Sequence, residues 1–175
     1  MNKIQADVVV IGGGSAGMGA FRAARKATDN VYIVEDYKFG TTCARVGCMP
    51  SKLLIAAAEA AHQPKHTAQF GVHVDCEVRV DGKAVMDRVR AERDRFVGFV
   101  VEDVEAWPED KRLLGRAKFK DAHTIIVTNQ AGEQTQVTAK RVVIATGSRP
   151  IVLPAWEALG ERLIINDDVF SWETL

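Results

Sequence analysis

The sequence has no excess of charge of either sign. Its 175 residues carry 23 Lys and Arg against 23 Asp and Glu, so the formal net charge is zero. Proteins that bind nucleic acid or an anionic membrane surface by long-range electrostatics need a basic excess. The composition removes that argument, and we expect neither a nucleic-acid nor a membrane partner.

Long apolar runs and a signal peptide are also missing. No apolar segment reaches the roughly 20 residues that a membrane-spanning helix requires. Residues 1–7 lack the basic and apolar regions of a secretory leader. We therefore expect a cytoplasmic protein, a setting in which a persistent structural disulfide is rare and a catalytic or redox-sensing one is the accepted exception.

The remaining composition is typical of a folded domain. Hydrophobic residues make up 47% of the chain and charged residues 26%, which excludes extensive disorder. Of the three cysteines, Cys76 lies apart from the other two, and we expect it to be an inert thiol. We find no repeat, low-complexity tract or flexible linker that divides the chain.

The first 35 residues have the pattern strand, glycine turn, helix and strand. A β-branched run at 7–11 precedes three glycines, an Ala- and Arg-rich helix is predicted at 15–26, and a second strand at 31–34 ends at Glu35. In this context Gly12, Gly14 and Gly17 match the dinucleotide fingerprint. Such a turn allows a pyrophosphate to approach the backbone at the helix N-terminus, and Glu35 would accept hydrogen bonds from a ribose hydroxyl. The alternative is a merely tight strand–helix turn.

Cys43 and Cys48 lie five residues apart, directly before an alanine-rich helix predicted to end at Gln63–Pro64. Unpaired N–H groups at a helix N-terminus stabilise a thiolate, so this placement favours a redox-active pair. A zinc site and two unrelated buried thiols are the alternatives, but zinc normally needs two further ligands at suitable spacing. We expect no metal site.

The second half of the chain has a different pattern of predicted elements, with one long helix followed by short strands. A long amphipathic helix is predicted at 82–104, with the charged run 87–95 on a solvated face. Short alternating runs follow, at 117–119, 124–128 and 134–138, as in a small antiparallel meander. A final apolar strand is predicted at 141–145, before the turn 146–150. His62 and His66 have helical ligand spacing, but we expect Pro64 to interrupt the helix between them.

Three segments together resemble a known family. The run Gly40 to Lys52, with both cysteines and the ending Pro50-Ser51-Lys52, is similar to the active-site segment of the flavoprotein pyridine nucleotide–disulfide oxidoreductases. The N-terminal fingerprint and the turn 144–150 agree with it, so the resemblance covers essentially the whole chain. It implies an α/β fold: a Rossmann-like, three-layer FAD-binding domain at 1–150, with a parallel sheet and an inserted antiparallel β-meander at about 113–140.

The resemblance also implies roles for individual residues. Cys48 would be the charge-transfer thiol beside the flavin, Cys43 the thiol that exchanges with substrate, and Lys52 the cation near the flavin ring. The expected FAD-binding residues are Gly12, Gly14, Ser15, Ala16, Gly17, Glu35, Asp36, Gly40, Thr41, Thr42, Cys43, Cys48, Lys52, Ala117, Ala145, Thr146, Gly147 and Ser148. Phe21 departs from the pattern, because a small residue usually stands there.

The implied reaction passes electrons between a dithiol or disulfide substrate, the Cys43–Cys48 pair, FAD and NAD(P). The substrate would be a small molecule or a lipoyl domain. Ser51 favours the dihydrolipoamide dehydrogenase and mercuric reductase branches of the family, whereas Arg45, in place of the usual Asn, leaves the substrate open.

We expect residues 151–175 to connect to an NAD(P)-binding domain that is absent here, and the chain to be the N-terminal portion of an enzyme that is a homodimer when full length. By itself this portion would be inactive. The alternatives are a mercuric or other disulfide reductase of the same family, or a non-catalytic nucleotide-binding module in which the thiol pair senses redox state.

Overall fold

The computed structural model describes residues 1–75 and 77–175, so the prediction for Cys76 lies outside the described residues. The chain forms an α/β fold, as predicted. The strands are β1 Asn2–Ile11, β2 Val31–Glu35, β3 Arg112–Leu114, β4 Arg116–Phe119, β5 Thr124–Thr128 and β6 Gln134–Ile144. The α-helices are α1 Ser15–Arg25, α2 Thr42–Val46, α3 Cys48–His62, α4 Gly82–Glu105, α5 Pro154–Glu157 and α6 Asn166–Val169.

Three short 3₁₀-helices, Gln63–Phe70, Glu109–Lys111 and Gly160–Arg162, complete the described elements. Among the described residues, none of the helices combines the length and the hydrophobicity needed to cross a bilayer. The chain divides into two compact units. Unit 1 contains residues 1–42 and 98–149, and unit 2 contains residues 43–97 and 150–175.

The six strands of unit 1 form one sheet with the order β3-β2-β1-β6-β5-β4. The pairs β1–β2, β1–β6 and β2–β3 are parallel, and the pairs β4–β5 and β5–β6 are antiparallel. The parallel strands β1 and β2 are rich in β-branched residues because both of their faces are covered. The predicted combination of a parallel sheet with an antiparallel meander is confirmed.

β6 joins the two parts of the sheet. It pairs with β5 along Gln134–Thr138 and with β1 from the pair Asn2–Thr135 to the pair Ile11–Ile144. The separate strands predicted at 134–138 and 141–145 are therefore one strand, and that boundary was wrong. Lys140 Nζ lies 2.7 Å from Oδ1 of Asp7 on β1, and the two side chains form an ion pair.

Two apolar clusters contain the buried apolar side chains of the sheet. On the helix side, Met18 and Phe21 of α1 pack with Val104 against β1 and β2. The second cluster joins residues of β1 and β2 with residues of β5 and β6, and its buried members are Ala6, Val9, Tyr32, Val34, Ile125, Val127, Val137 and Ala139. Along residues 8–11 of β1 and 31–34 of β2, alternate residues belong to opposite clusters, as the period of two in a strand requires.

Phe21, the departure from the family pattern, is fully buried. Its ring centroid lies 4.4 Å from that of Trp107, which follows α4, and the two planes are tilted by 30°. Phe21 therefore has an aromatic partner, Trp107, in the helix-side cluster.

Unit 2 is mostly helical and carries the two cysteines. α3 begins at Cys48 and includes Pro50 in its first turn, where the missing N–H costs nothing. Its C-terminal end continues into the 3₁₀-helix Gln63–Phe70, and Pro64 stands in the first turn of this element. The predicted end of the α-helix at Gln63–Pro64 is confirmed, although the rings of His62 and His66 still stack across it with centroids 3.8 Å apart.

Candidate functional site: a glycine turn and a thiol pair

The glycine turn of unit 1 lies where the carboxyl ends of β1, β2 and β6 meet. Gly12 N donates to Val34 O at 2.7 Å, and Ala145 N donates to Ile11 O at 2.8 Å. Crevices that bind ligands form at this edge of an open parallel sheet. The tertiary structure thus brings the predicted residues Ala145 and Thr146 to the glycine turn 12–17.

Two of the glycines are required by close packing. Gly12 has φ +106°, and a Cβ placed on it would lie 2.3 Å from Ala145 O. A Cβ on Gly17 would lie 1.7 Å from Gly12 O. No other residue fits at either position, because the helix start, the turn and the end of β6 are in backbone contact.

The turn has the features of an anion site. A Cβ on Gly14 would meet no atom within 4 Å, so this glycine opens to free space rather than to a neighbouring chain segment. α1 begins there without a side-chain cap and without an acidic residue in its first turn. The exposed Ser15 and Ala16 follow. These first-turn N–H groups suit a phosphate charge, so the residues present fit the pyrophosphate of a dinucleotide such as FAD.

The Glu35 carboxylate lies directly beside this turn. Its Oε2 accepts the Gly13 N–H at 2.6 Å, and its Oε1 accepts the Tyr37 N–H at 3.3 Å. The side chain is half-buried, at the end of β2, as the sequence predicts for a residue that contacts a ribose. Sequence reasoning missed the contribution of Gly13, the position between the first two fingerprint glycines.

A groove of about 590 Å³ runs along the meander from Asp36. Its walls include Gly115, Arg116 and Lys118 on or beside β4. Ala117, predicted to contact the cofactor, lies between Arg116 and Lys118, but its side chain packs against the apolar cluster that includes Ile125 and Val127. Any contact that it makes in the groove must therefore use its backbone.

The loop from β2 to the cysteines contains further predicted residues. Gly40 has φ +124° and Thr41 has φ +43°, and Thr41 is the one non-glycine residue with positive φ among residues 1–75 and 77–175. Thr42 is the first residue of α2. On the other side of the site, Thr146, Gly147 and Ser148 are exposed beyond the end of β6.

The two cysteines of unit 2 are free thiols that contact one another. Cys43 lies in α2 and is partly buried, whereas Cys48 is exposed at the first position of α3. Lys52 is exposed one turn further along α3, on the same face as Cys48 by helical spacing. Ser51 donates its N–H to Gly47 O at 3.1 Å and its hydroxyl to the same oxygen at 2.7 Å, closing the first turn.

The pKa of Cys43 is raised above its ordinary value. The largest cause is its hydrogen bond with the Cys48 side chain, followed by burial; the N–H groups of Cys48 and Met49 act in the opposite direction. The helix N-terminus therefore acts on the sulfur of Cys43, as the sequence argument requires, but the neighbouring thiol outweighs it. The predicted redox role of the pair stays a prediction.

No group of three or more His, Cys, Asp or Glu side chains is placed to hold a metal ion within the described part of the chain. His66 contacts the carbonyl oxygen of His62 through Nδ1 at 3.0 Å. The contacts of both histidines are therefore with each other, at the end of α3.

The fold and these sites define a class: an α/β protein with a dinucleotide-type turn and a pair of interacting thiols. Comparison with known proteins gives the family. The family model for pyridine nucleotide–disulphide oxidoreductases matches residues 6–171. The chain belongs to this family.

Individual relatives agree with the family assignment. The dihydrolipoyl dehydrogenase of Bacillus subtilis (strain 168) is 34% identical over 177 residues, covering 97% of this chain and 37% of the relative. That of Geobacillus stearothermophilus is 36% identical over 151 residues, covering 86% and 32%. The glutathione reductase of Burkholderia cepacia is 33% identical over 171 residues, covering 98% and 36%. The chain thus spans about a third of the length of these relatives.

Proposed function

We propose that the chain is the FAD-binding and thiol-bearing part of a disulfide oxidoreductase of the dihydrolipoyl dehydrogenase type. The observation that carries this proposal is a set of contacts: the Cys43 sulfur interacts with the Cys48 thiol and with the first N–H groups of α3. Two sulfurs in contact at a helix N-terminus are well placed to form and break a disulfide by thiolate exchange.

The glycine turn supports the cofactor part of the proposal. Gly12, Gly14 and Gly17 would admit the pyrophosphate of FAD, and Glu35 would accept hydrogen bonds from the ribose. The loop 40–42 and the segment 145–148 would supply the remaining contacts. Bound FAD would supply a two-electron carrier between the thiol pair and a nicotinamide.

The thiol chemistry follows from the cysteines themselves. A thiolate of a dithiol substrate attacks the Cys43 sulfur of the Cys43–Cys48 disulfide and releases Cys48. The second substrate thiol then attacks the mixed disulfide, so that the substrate leaves oxidised and both cysteines are reduced. The two electrons gained by the cysteines are those that the substrate loses, and NAD(P) is the final acceptor.

We propose a lipoyl-type dithiol as the substrate, since two of the three relatives described above are named dihydrolipoyl dehydrogenases. The relative named glutathione reductase makes another disulfide of the same chemical class the alternative. We further propose that NAD(P) binding and homodimer formation belong to parts of the full-length protein outside this chain.

FAD binding followed by reduction tests the proposal. The purified chain is mixed with FAD, desalted, and its visible spectrum recorded before and after anaerobic addition of dihydrolipoamide. We expect a retained flavin band and, after reduction, a long-wavelength absorption that is absent from the Cys48→Ser variant. Cys76→Ser is the matched control and should behave as the wild type.

Two results would count against the proposal. If no FAD or adenosine nucleotide binds at micromolar concentration, the nucleotide site is wrong. If FAD binds but Cys43 and Cys48 never form a disulfide on mild oxidation, as judged by alkylation and mass spectrometry, the redox role is wrong.

A further inference from the structure

The glycine turn contains one glycine that the dinucleotide pattern does not require. Gly13 occupies the variable position between Gly12 and Gly14, where a pyrophosphate does not demand the absence of a side chain. Its φ is not positive, so backbone conformation does not demand glycine either. A neighbouring atom must therefore be the reason.

That neighbour is Phe39. A Cβ added to Gly13 would lie 2.6 Å from both Cδ1 and Cε1 of the Phe39 ring, and 3.0 Å from Oε2 of Glu35. Contacts below 3.0 Å force one partner to move. Phe39 has little freedom to do so, because it is only 9% exposed and belongs to the helix-side cluster.

Glu35 completes the arrangement. Its carboxylate is held by the N–H groups of Gly13 and Tyr37, and the loop 36–39 connects it to Phe39. The Phe39 ring lies against Gly13, and the Gly13 N–H donates to the Glu35 carboxylate. Three residues, Gly13, Glu35 and Phe39, thus form one packed unit beneath the turn.

We propose that Phe39 is a positioning residue for the nucleotide: its ring fixes Gly13, and through the Gly13 N–H it holds the Glu35 carboxylate ready for the ribose hydroxyls. This inference rests on the proposed function. Such preorganisation raises affinity because the turn and the carboxylate are ordered before the ligand arrives. It also makes glycine at position 13 a consequence of phenylalanine at position 39.

The test is a reciprocal mutant cycle measured with ADP and with 2′,3′-dideoxy-ADP, which lacks both ribose hydroxyls. For the wild type we expect about tenfold tighter binding of ADP than of the dideoxy analogue, the ratio given by a hydrogen bond to a charged group. Gly13→Ala should weaken ADP binding by at least about tenfold, because the new methyl group displaces the ring or the carboxylate.

Phe39→Ala should reduce the preference for ADP over the analogue to about twofold, because the carboxylate is no longer held. The double variant Gly13→Ala/Phe39→Ala should bind ADP more tightly than Gly13→Ala alone, since the clash is gone. Phe39→Leu keeps most of the apolar volume, and its combination with Gly13→Ala repeats the cycle if Phe39→Ala does not fold.

The outcomes are distinguishable. Loss of stability alone would lower the melting temperature without changing the ratio of the two affinities, and this result would overturn the inference. So would a double variant that binds ADP no better than Gly13→Ala. If the wild type binds neither ADP nor FAD, the proposed function fails first, and the inference fails with it.

Discussion

The two compact units of the chain are stabilised in different ways. Unit 1 surrounds a sheet with apolar side chains on both faces, and sixteen residues make up its two buried clusters. In unit 2 the buried hydrophobic residues among those described are fewer: Ala44, Met86, Val89, Val97 and Phe170. There, arginines of α4 reach backbone carbonyls, as when Arg93 Nη1 donates to Phe170 O at 2.6 Å and Arg88 Nη1 donates to Leu53 O at 3.4 Å.

The difference matches what each unit carries. The proposed pyrophosphate site would gain affinity from a rigid support, which a two-sided apolar core provides. The proposed exchange of the thiol pair with a substrate would need exposure and local mobility, and segments with few buried apolar contacts open at a lower free-energy cost. We infer that the nucleotide turn lies in the more stable unit and the thiol pair in the less stable one.

Phe21→Ala should cause the largest loss of stability. The side chain is fully buried and packs on Trp107, so its removal leaves a cavity in the helix-side cluster. We expect the free energy of unfolding to fall by about 3–5 kcal/mol, measured by urea denaturation. Phe70→Ala is the matched control: Phe70 is 79% exposed, and its loss should change stability by less than about 0.5 kcal/mol. Equal effects of the two variants would contradict the comparison.

Arg93→Met tests the polar contacts of unit 2. It removes the donor to Phe170 O while it keeps the apolar stem, and we expect a loss of about 1–2 kcal/mol. Amide exchange should accelerate first in residues 166–175. Arg95→Met breaks an exposed pair with Glu92 and should cost no more than about 0.5 kcal/mol. Unchanged exchange in Arg93→Met would show that the apolar residues of unit 2 suffice.

Cys48→Ala should lower the pKa of Cys43. The variant removes the side chain that raises this pKa most and keeps the backbone N–H groups that lower it. The pH profile for iodoacetamide alkylation of Cys43, followed by peptide mass spectrometry, should shift to lower pH. Cys76→Ala serves as the control. A shift to higher pH would mean that the Cys48 thiol stabilises the Cys43 thiolate.

Thr41→Gly should stabilise unit 1 slightly. A left-handed conformation costs a β-branched residue about 1–2 kcal/mol, and the greater unfolded-state entropy of glycine offsets part of the relief, so a net gain of about 0.5 kcal/mol is expected. Thr42→Gly, placed in the first position of α2, should instead destabilise. The urea midpoints of the two variants, compared with that of the wild type, test both expectations. A lower midpoint for Thr41→Gly would show that the threonine side chain offsets the strain.

The smallest effect is expected for Asp7→Asn and depends on pH. Hydrogen bonds from Lys140 and then Thr28 lower the pKa of Asp7 below its ordinary value of 3.8. The folded state therefore binds fewer protons than the unfolded state near that pH. The stabilisation is complete above the unfolded pKa and is lost as the pH falls through the native pKa. Melting temperatures of Asp7→Asn and wild type should differ at pH 7 and converge at pH 2, whereas Asp29→Asn should show little difference at either.

Much of the fold was predictable because local patterns were strong. Residues 7–35 contain a strand, three glycines, a helix and a second strand with an acidic end. Each of these local patterns predicts the same βαβ unit. The long helix was predicted at 82–104 and found at Gly82–Glu105. β3 was missed because three residues are too short for a periodic signal, and its pairing with β2 depends on residues far apart in sequence.

The charged run 87–95 was predicted to be a solvated helix face, and its members Asp87, Arg88, Asp94 and Arg95 are exposed. Arg90 and Arg93 differ, because they donate to the carbonyls of Trp172 and Phe170. A guanidinium that serves a distant carbonyl looks the same in sequence as one that faces water. Sequence carries no information on which carbonyls a fold leaves without a partner.

The sequence by itself determined the family, the glycine fingerprint, the acidic end of β2 and the spacing of the two cysteines, since these depend on neighbours within a few turns of chain. Only the tertiary structure decided that Phe39 lies against Gly13, that Ala145 closes on Gly12, and that the pKa of Cys43 rises rather than falls. These three depend on distances between side chains and backbone atoms set by packing, and such distances follow from the whole fold rather than from any local run of residues.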